Sequence, residues 1–126
     1  MGPRDRRTVG ERAEQQAFRY LLGLGLRPIA RNFRCRGGEI DLIMLDETCL
    51  AFVEVRCRRS SAFTAPGPTV DLQKQRKLVR TAALFAARHP RYAAATMRFD
   101  VVAVEGPDGD SIHWYRDAFR PDDSTL

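Results

Sequence analysis

The stretch GGEIDLIMLDETCLAFVEVRCRR, Gly37 to Arg59, decides the fold. Ile40, Leu42, Ile43, Met44 and Leu45, then Leu50, Ala51, Phe52, Val53 and Val55, make two apolar runs of strand length. Runs of this kind bounded by turn residues mark buried strands. The polar break at Asp46–Thr48 predicts a tight connection, so Glu39–Leu45 and Cys49–Arg58 read as a hairpin. Two acids, Asp41 and Glu54, sit in the middle of this core material. A carboxylate buried there needs a partner.

Strand side chains alternate between faces, which puts Glu39, Asp41 and Ile43 on one face. Leu50, Phe52, Glu54, Arg56 and Arg58 likewise share a face of the next strand. If the hairpin closes with Asp46 opposite Cys49, Asp41 falls opposite Glu54 and Glu39 opposite Arg56. Residues so opposed have Cβ atoms roughly 4.5–5.5 Å apart and point to one side. Two carboxylates at that distance repel and need a shared proton, a salt bridge or a cation. A divalent metal is the strong solution, because it takes hard oxygen ligands. The spacing leaves two other arrangements open. Glu39–Arg56 could be a structural ion pair with Asp41 bonded to a turn, or an odd register slip could set the two acids on opposite faces.

Working outward, Thr8 to about Gly25 has helical periodicity, with Glu11, Glu14, Phe18, Leu21 and Leu22 on a stripe that Ala13, Ala17 and Leu24 widen. Thr8 with Glu11 reads as a capping box. LRPIARNFR is a short strand or extended entry, and CRGG a turn. SSAFTAPGPT is a Pro/Gly/Ser loop and the expected mobile element. Thr69 to His89 is a second helix, with Asp71 in its first turn and Pro90 ending it. TMRFDVVAVEG and SIHWYRDAF are two further strands. The order αβββαββ predicts an α/β domain with a central mixed sheet of about five strands flanked by helices. At 126 residues the chain makes one domain, with tails at 1–7 and 120–126.

No apolar run approaches the ~20 residues that span a bilayer, and MGPRDRRTVGER lacks a signal core, so a soluble cytoplasmic protein is expected. Cys35, Cys49 and Cys57 have neither CxxC spacing nor nearby histidines, which argues against a zinc site or disulfide framework. Charge is unevenly spread: residues 1–36 carry +6, 37–53 carry −4, 54–98 carry +8 and 99–126 carry −5. An acidic centre between basic tracts suits a polyanion held over a small anionic site.

Taken in order, GGEIDLIM, LAFVEVRCRR, KQRKL and RFDVVAVEG…WYRDAF resemble the YraN-like uncharacterised bacterial protein family from about Gly10 to Phe119. That family is similar to the restriction-endonuclease-like superfamily with its PD-(D/E)xK motif, including archaeal Holliday-junction resolvases. The resemblance implies a restriction-endonuclease-like sheet, carboxylate-held Mg²⁺ or Mn²⁺, and hydrolysis of phosphodiester bonds in branched or otherwise structured DNA. Asp41 matches the motif aspartate, Glu54 the second acid, and Arg56 stands at the lysine position. Glu14 matches the acid of the first helix, since ExxAxxYL is met by Glu14, Ala17, Tyr20 and Leu21, with Glu11 as the competitor. Lys74 and Gln75 match the family's KQ.

On this basis Asp41, Glu54 and the Val55 carbonyl are the expected metal ligands, with Glu14 contributing through water. Arg56 cannot act as a base but can neutralise charge on phosphate. Arg58, Arg59, Lys74, Gln75, Arg76 and Lys77 are the expected nucleic-acid contacts. For Lys74, Arg76, Lys77 and Arg80 the alternative is simply a solvated helix face. Trp114 and Tyr115 read as core residues more readily than as base-stacking platforms. The competing class is a non-catalytic module, monomeric or homodimeric, that binds nucleic acid or a protein on a nuclease fold.

Overall fold

A computed structural model describes residues 6–58, 70–106 and 111–122. The chain runs α1 (Arg6–Gly23), β1 (Arg27–Cys35), β2 (Gly38–Asp46), β3 (Cys49–Arg58), α2 (Leu72–Arg88), a 3-10 turn (Pro90–Tyr92), β4 (Thr96–Glu105) and β5 (Ser111–Phe119). The strands form one sheet in the order β1-β2-β3-β4-β5. Only β3 and β4 are parallel neighbours; the other pairs are antiparallel. A parallel neighbour cannot be reached by a hairpin. The crossover contains α2. This is the mixed sheet with flanking helices that the element order predicts.

Both faces of the central strands are covered, which explains why apolar residues fill both parities of their runs. Ala13, Ala17 and Leu21 of α1 pack on Leu42, Met44, Ala51, Val53, Val102 and Val104. Leu78, Ala82 and Phe85 of α2 pack on Ile43, Leu50, Phe52, Phe99 and Val101. The Phe85 ring lies 5.2 Å from that of Phe33 and 6.1 Å from that of Phe52. Among the described residues no helix is long and apolar enough to cross a membrane.

Several local expectations need correcting. α1 begins at Arg6, so Thr8 lies inside it rather than at its cap, and Arg6 and Arg7 are not tail. The buried row of α1 is Ala13, Ala17 and Leu21, while Glu11, Leu22 and Leu24 are exposed. Small side chains let the helix approach the sheet, so the buried row is not the row of largest residues. Asp71 is the N-cap of α2 rather than part of its first turn: its Oδ1 accepts the Lys74 amide at 2.8 Å. The short entry LRPIARNFR is a full edge strand. The expected mobile loop, residues 60–69, lies outside the described residues, as do Arg59, 1–5 and 123–126.

A buried carboxylate fixes the far edge of the sheet. Asp100 accepts hydrogen bonds from Arg98 Nε at 2.8 Å, Arg98 Nη2 at 2.9 Å, Trp114 Nε1 at 3.0 Å and the Asp117 amide at 2.9 Å. Arg98 Nη2 also reaches Asp46 Oδ2 at 3.1 Å, tying β4 and β5 to the end of β2. Asp117 has a left-handed backbone (φ 55) where the β4–β5 register shifts, and Asp100 takes the amide freed by that bulge. Trp114 is thus a packed residue hydrogen-bonded inward, as its place on an apolar strand suggests. Asp100→Ala strands a part-buried guanidinium and an indole N–H, and should lower stability by about 3–5 kcal/mol in urea unfolding. A loss under ~1 kcal/mol would contradict this role.

Candidate active site

The β2–β3 hairpin has the register inferred from sequence: Asp46 pairs with Cys49, Leu45 with Leu50, and so on to Leu42 with Val53. The next rung would oppose Asp41 and Glu54, and there the ladder stops. Asp41 Oδ2 instead accepts the Val55 amide at 2.8 Å. A side chain has replaced backbone pairing, and the two strands part at the acids.

The same point interrupts β1 and β2. Arg31 pairs with Leu42 and Phe33 with Ile40, but Asn32 and Asp41 between them do not pair. Asn32 has φ 52, a left-handed conformation that asparagine tolerates better than most residues. Leu42 packs on the α1 side while Ile40 packs on the α2 side, so strict alternation fails at Asp41. The expected shared face of Glu39, Asp41 and Ile43 is corrected accordingly. Asn32 was not singled out from the sequence, although an asparagine within an extended segment is a usable signal for such a switch.

Standing at this switch, Asp41 feels carboxylates from both layers. Burial pushes its carboxyl up to about 8; the Val55 N–H pulls the other way, and Glu54 and Glu14 add to the rise. Glu14 comes from α1. Its carboxyl is also raised, first by burial and then by Glu39, against Arg31 and Arg34. Its Oε1 is buried without a hydrogen-bond partner among the described residues. Glu11 is exposed, so Glu14 is the α1 acid at this place.

Glu54 is buried, and Lys74 of α2 reaches it with Nζ 2.6 Å from Oε2. No local pattern links these residues, because a loop and a helix turn separate them. Three contacts place Lys74. Asp71 caps its amide, Gln75 Nε2 donates to the Val70 carbonyl at 2.7 Å, and Gly38 lets α2 sit against the start of β2. A Cβ on Gly38 would lie 2.6 Å from Thr81 Oγ1. Gln75 therefore holds the entry to the helix, a contact the sequence reading did not anticipate.

The open alternative of a Glu39–Arg56 ion pair is replaced by another pair. Glu39 lies opposite Arg34 on β1 and is bonded to it at 3.3 Å, because the β2–β3 ladder ends before Arg56. Arg56 is part-buried on β3, beside Ala103 of β4, and Arg58 ends the strand. Lys74, Arg76, Lys77 and Arg80 are exposed along α2. Among the described residues, no group of three or more His, Cys, Asp or Glu forms a ready-made metal cage.

Residues 13–104 match the model of the uncharacterised protein family UPF0102. The chain belongs to that family. It is 49% identical to the UPF0102 protein of Halorhodospira halophila (strain DSM 244 / SL1) over 116 residues, 92% of this chain and 90% of that one. It is 48% identical to the UPF0102 protein of Xanthomonas campestris pv. campestris (strain B100) over 96% of this chain and 98% of that one. The UPF0102 protein of Pseudomonas putida (strain GB-1) is 45% identical over 89% of this chain and 93% of its own. The span matched by the UPF0102 model takes in Glu14, Asp41, Glu54 and Lys74 together.

The raised Asp41 carboxyl has a measurable consequence for this UPF0102 chain. Folded, it keeps a proton that the unfolded chain has released, so its contribution to stability falls as pH rises from about 4 to about 8. Asp41→Asn should flatten the pH dependence of the urea midpoint across that window, measured without added divalent metal. An unchanged slope would count against the raised value.

Proposed function

We propose that this chain is a divalent-metal-dependent phosphodiesterase acting on branched or otherwise structured DNA. The observation that carries the reading is the parting of β2 and β3 at Asp41, which holds one carboxylate on the Val55 amide beside Glu54 and Glu14. A divalent cation could displace the proton that burial keeps on Asp41, and Glu14 Oε1, without a hydrogen-bond partner among the described residues, is an oxygen with capacity to spare. Mg²⁺ is ordinarily held by one or two carboxylates, with water and substrate phosphate completing its shell. The residues present fit such an ion.

Asp41 and Glu54 would hold Mg²⁺ or Mn²⁺, with the Val55 carbonyl as a third ligand and Glu14 acting through water. Bound there, the metal would polarise a phosphate and lower the pKa of a water. The chain's own groups do the rest. The Val55 N–H fixes the Asp41 carboxylate in place. Arg56, a permanent cation, neutralises charge growing on the phosphate but accepts no proton. Arg58, Arg59, Arg76 and Lys77 bind flanking phosphates, giving a salt-sensitive grip with little sequence preference. A second reading, a binding module on the same fold, is favoured by one observation: Lys74 already neutralises Glu54 from within.

A panel of labelled duplex, flap and four-way DNA substrates separates the two. Catalysis predicts cleavage with Mn²⁺ that falls at least ~100-fold in Asp41→Ala and Glu54→Ala. A binding module predicts no cleavage and duplex affinity that survives, or rises, in the same variants.

A further inference from the structure

We infer that Lys74 is an exchangeable stand-in for the divalent cation. It neutralises Glu54 while the metal is absent, then turns to meet a substrate phosphate when the metal arrives. The inference rests on the phosphodiesterase reading and extends it to how the site is switched between two charge states.

Three observations carry it. The first is the contact: Lys74 Nζ lies 2.6 Å from Glu54 Oε2, on the acid whose neighbour is Asp41. The ammonium meets Glu54, while Asp41 is held by the neutral Val55 N–H and Glu14 feels Arg31 and Arg34 only through space. Glu14 Oε1, buried without a hydrogen-bond partner among the described residues, is the sign of that shortfall. A doubly charged ion would offset more of it, and it would compete with Lys74 for Glu54.

The second is asymmetry of burial. The Glu54 side chain is 10% exposed and that of Lys74 is 51% exposed. Glu54 is held in the sheet, while Lys74 sits at the end of a four-carbon stem on an exposed helix face. When the pair opens, the lysine moves.

The third is the space available to it. Lys74 lines a pocket of about 340 Å³ between the start of β2 and the first turns of α2, together with Gly38, Glu39, Asp71 and Lys77. The two acids there have partners, Glu39 with Arg34 and Asp71 with the Lys74 amide. Among the described residues, Lys74 and Lys77, one turn apart, are the cations that line the pocket, and together they suit a phosphate next to the one being cleaved. In this account the pair on Glu54 is the resting state of the site, not a permanent seal.

The test is calorimetric titration of Mn²⁺ alone into metal-free protein, with no nucleic acid, for the wild type, Lys74→Met and Lys74→Gln. Removing the competing ammonium should tighten Mn²⁺ binding roughly three- to tenfold in both variants. Lys74→Gln keeps a neutral donor for Glu54 and covers the case in which the methionine variant folds poorly. A second measurement reads the released lysine. With Ca²⁺ present to hold the DNA uncut, the salt dependence of duplex binding should steepen by about one phosphate contact in wild type and not in Lys74→Met. If wild type binds Mn²⁺ through Asp41 while both Lys74 variants bind it equally or more weakly, the stand-in role is wrong and the nuclease reading stands. If wild type binds no Mn²⁺, both fall.

Discussion

One hydrogen bond organises the site: the Val55 amide donates to a side chain, Asp41, rather than to the backbone of β2. A buried N–H must find an acceptor. By supplying it, Asp41 lets the β2–β3 ladder end at Leu42 and Val53 without leaving that amide unsatisfied. The two strands then part beyond Leu42 and Val53, and the next residues on each are the acids Asp41 and Glu54. A fully laddered hairpin would give a stable sheet with no room between those strands.

The energetic cost of this arrangement is visible in the acids themselves. Asp41 is pushed up to about 8 and Glu14 is raised, both chiefly by burial. Such groups destabilise a fold unless something compensates, and they concentrate where chemistry is done. Elsewhere the chain treats a buried carboxylate differently. Asp100 is surrounded by Arg98, Trp114 and a backbone amide, and every contact serves to hold β4, β5 and β2 together. One molecule thus contains a fully satisfied buried acid and a group of three in which Glu14 Oε1 has no hydrogen-bond partner among the described residues.

Much of this was legible in the sequence. The two apolar runs and the turn between them fixed the hairpin, and the register followed from closing it at Asp46 and Cys49. Counting along the hairpin leads to Asp41 and Glu54, although the ladder ends at Leu42 and Val53, one rung short of them. Glu14 was reachable through the helix pattern and the resemblance to a known family. What escaped was set by tertiary contact. The Lys74–Glu54 pair depends on where α2 lands after a crossover, and no local count reaches across it. The change of face between Ile40 and Leu42 breaks the alternation rule used to place the acids, beside the left-handed Asn32 of the neighbouring strand. α1 misled for a related reason: Leu22 and, just past the helix, Leu24 are exposed, while Ala13, Ala17 and Leu21 meet the sheet.

The central claim is that this gap between strands is built for a doubly charged ion. Anomalous diffraction from crystals equilibrated with Mn²⁺, in the absence of nucleic acid, addresses it directly. The account predicts a peak within coordinating distance of carboxylate oxygens of both Asp41 and Glu54. A map with no peak there, while the ion occupies other sites and Glu54 stays closed on Lys74, would contradict it.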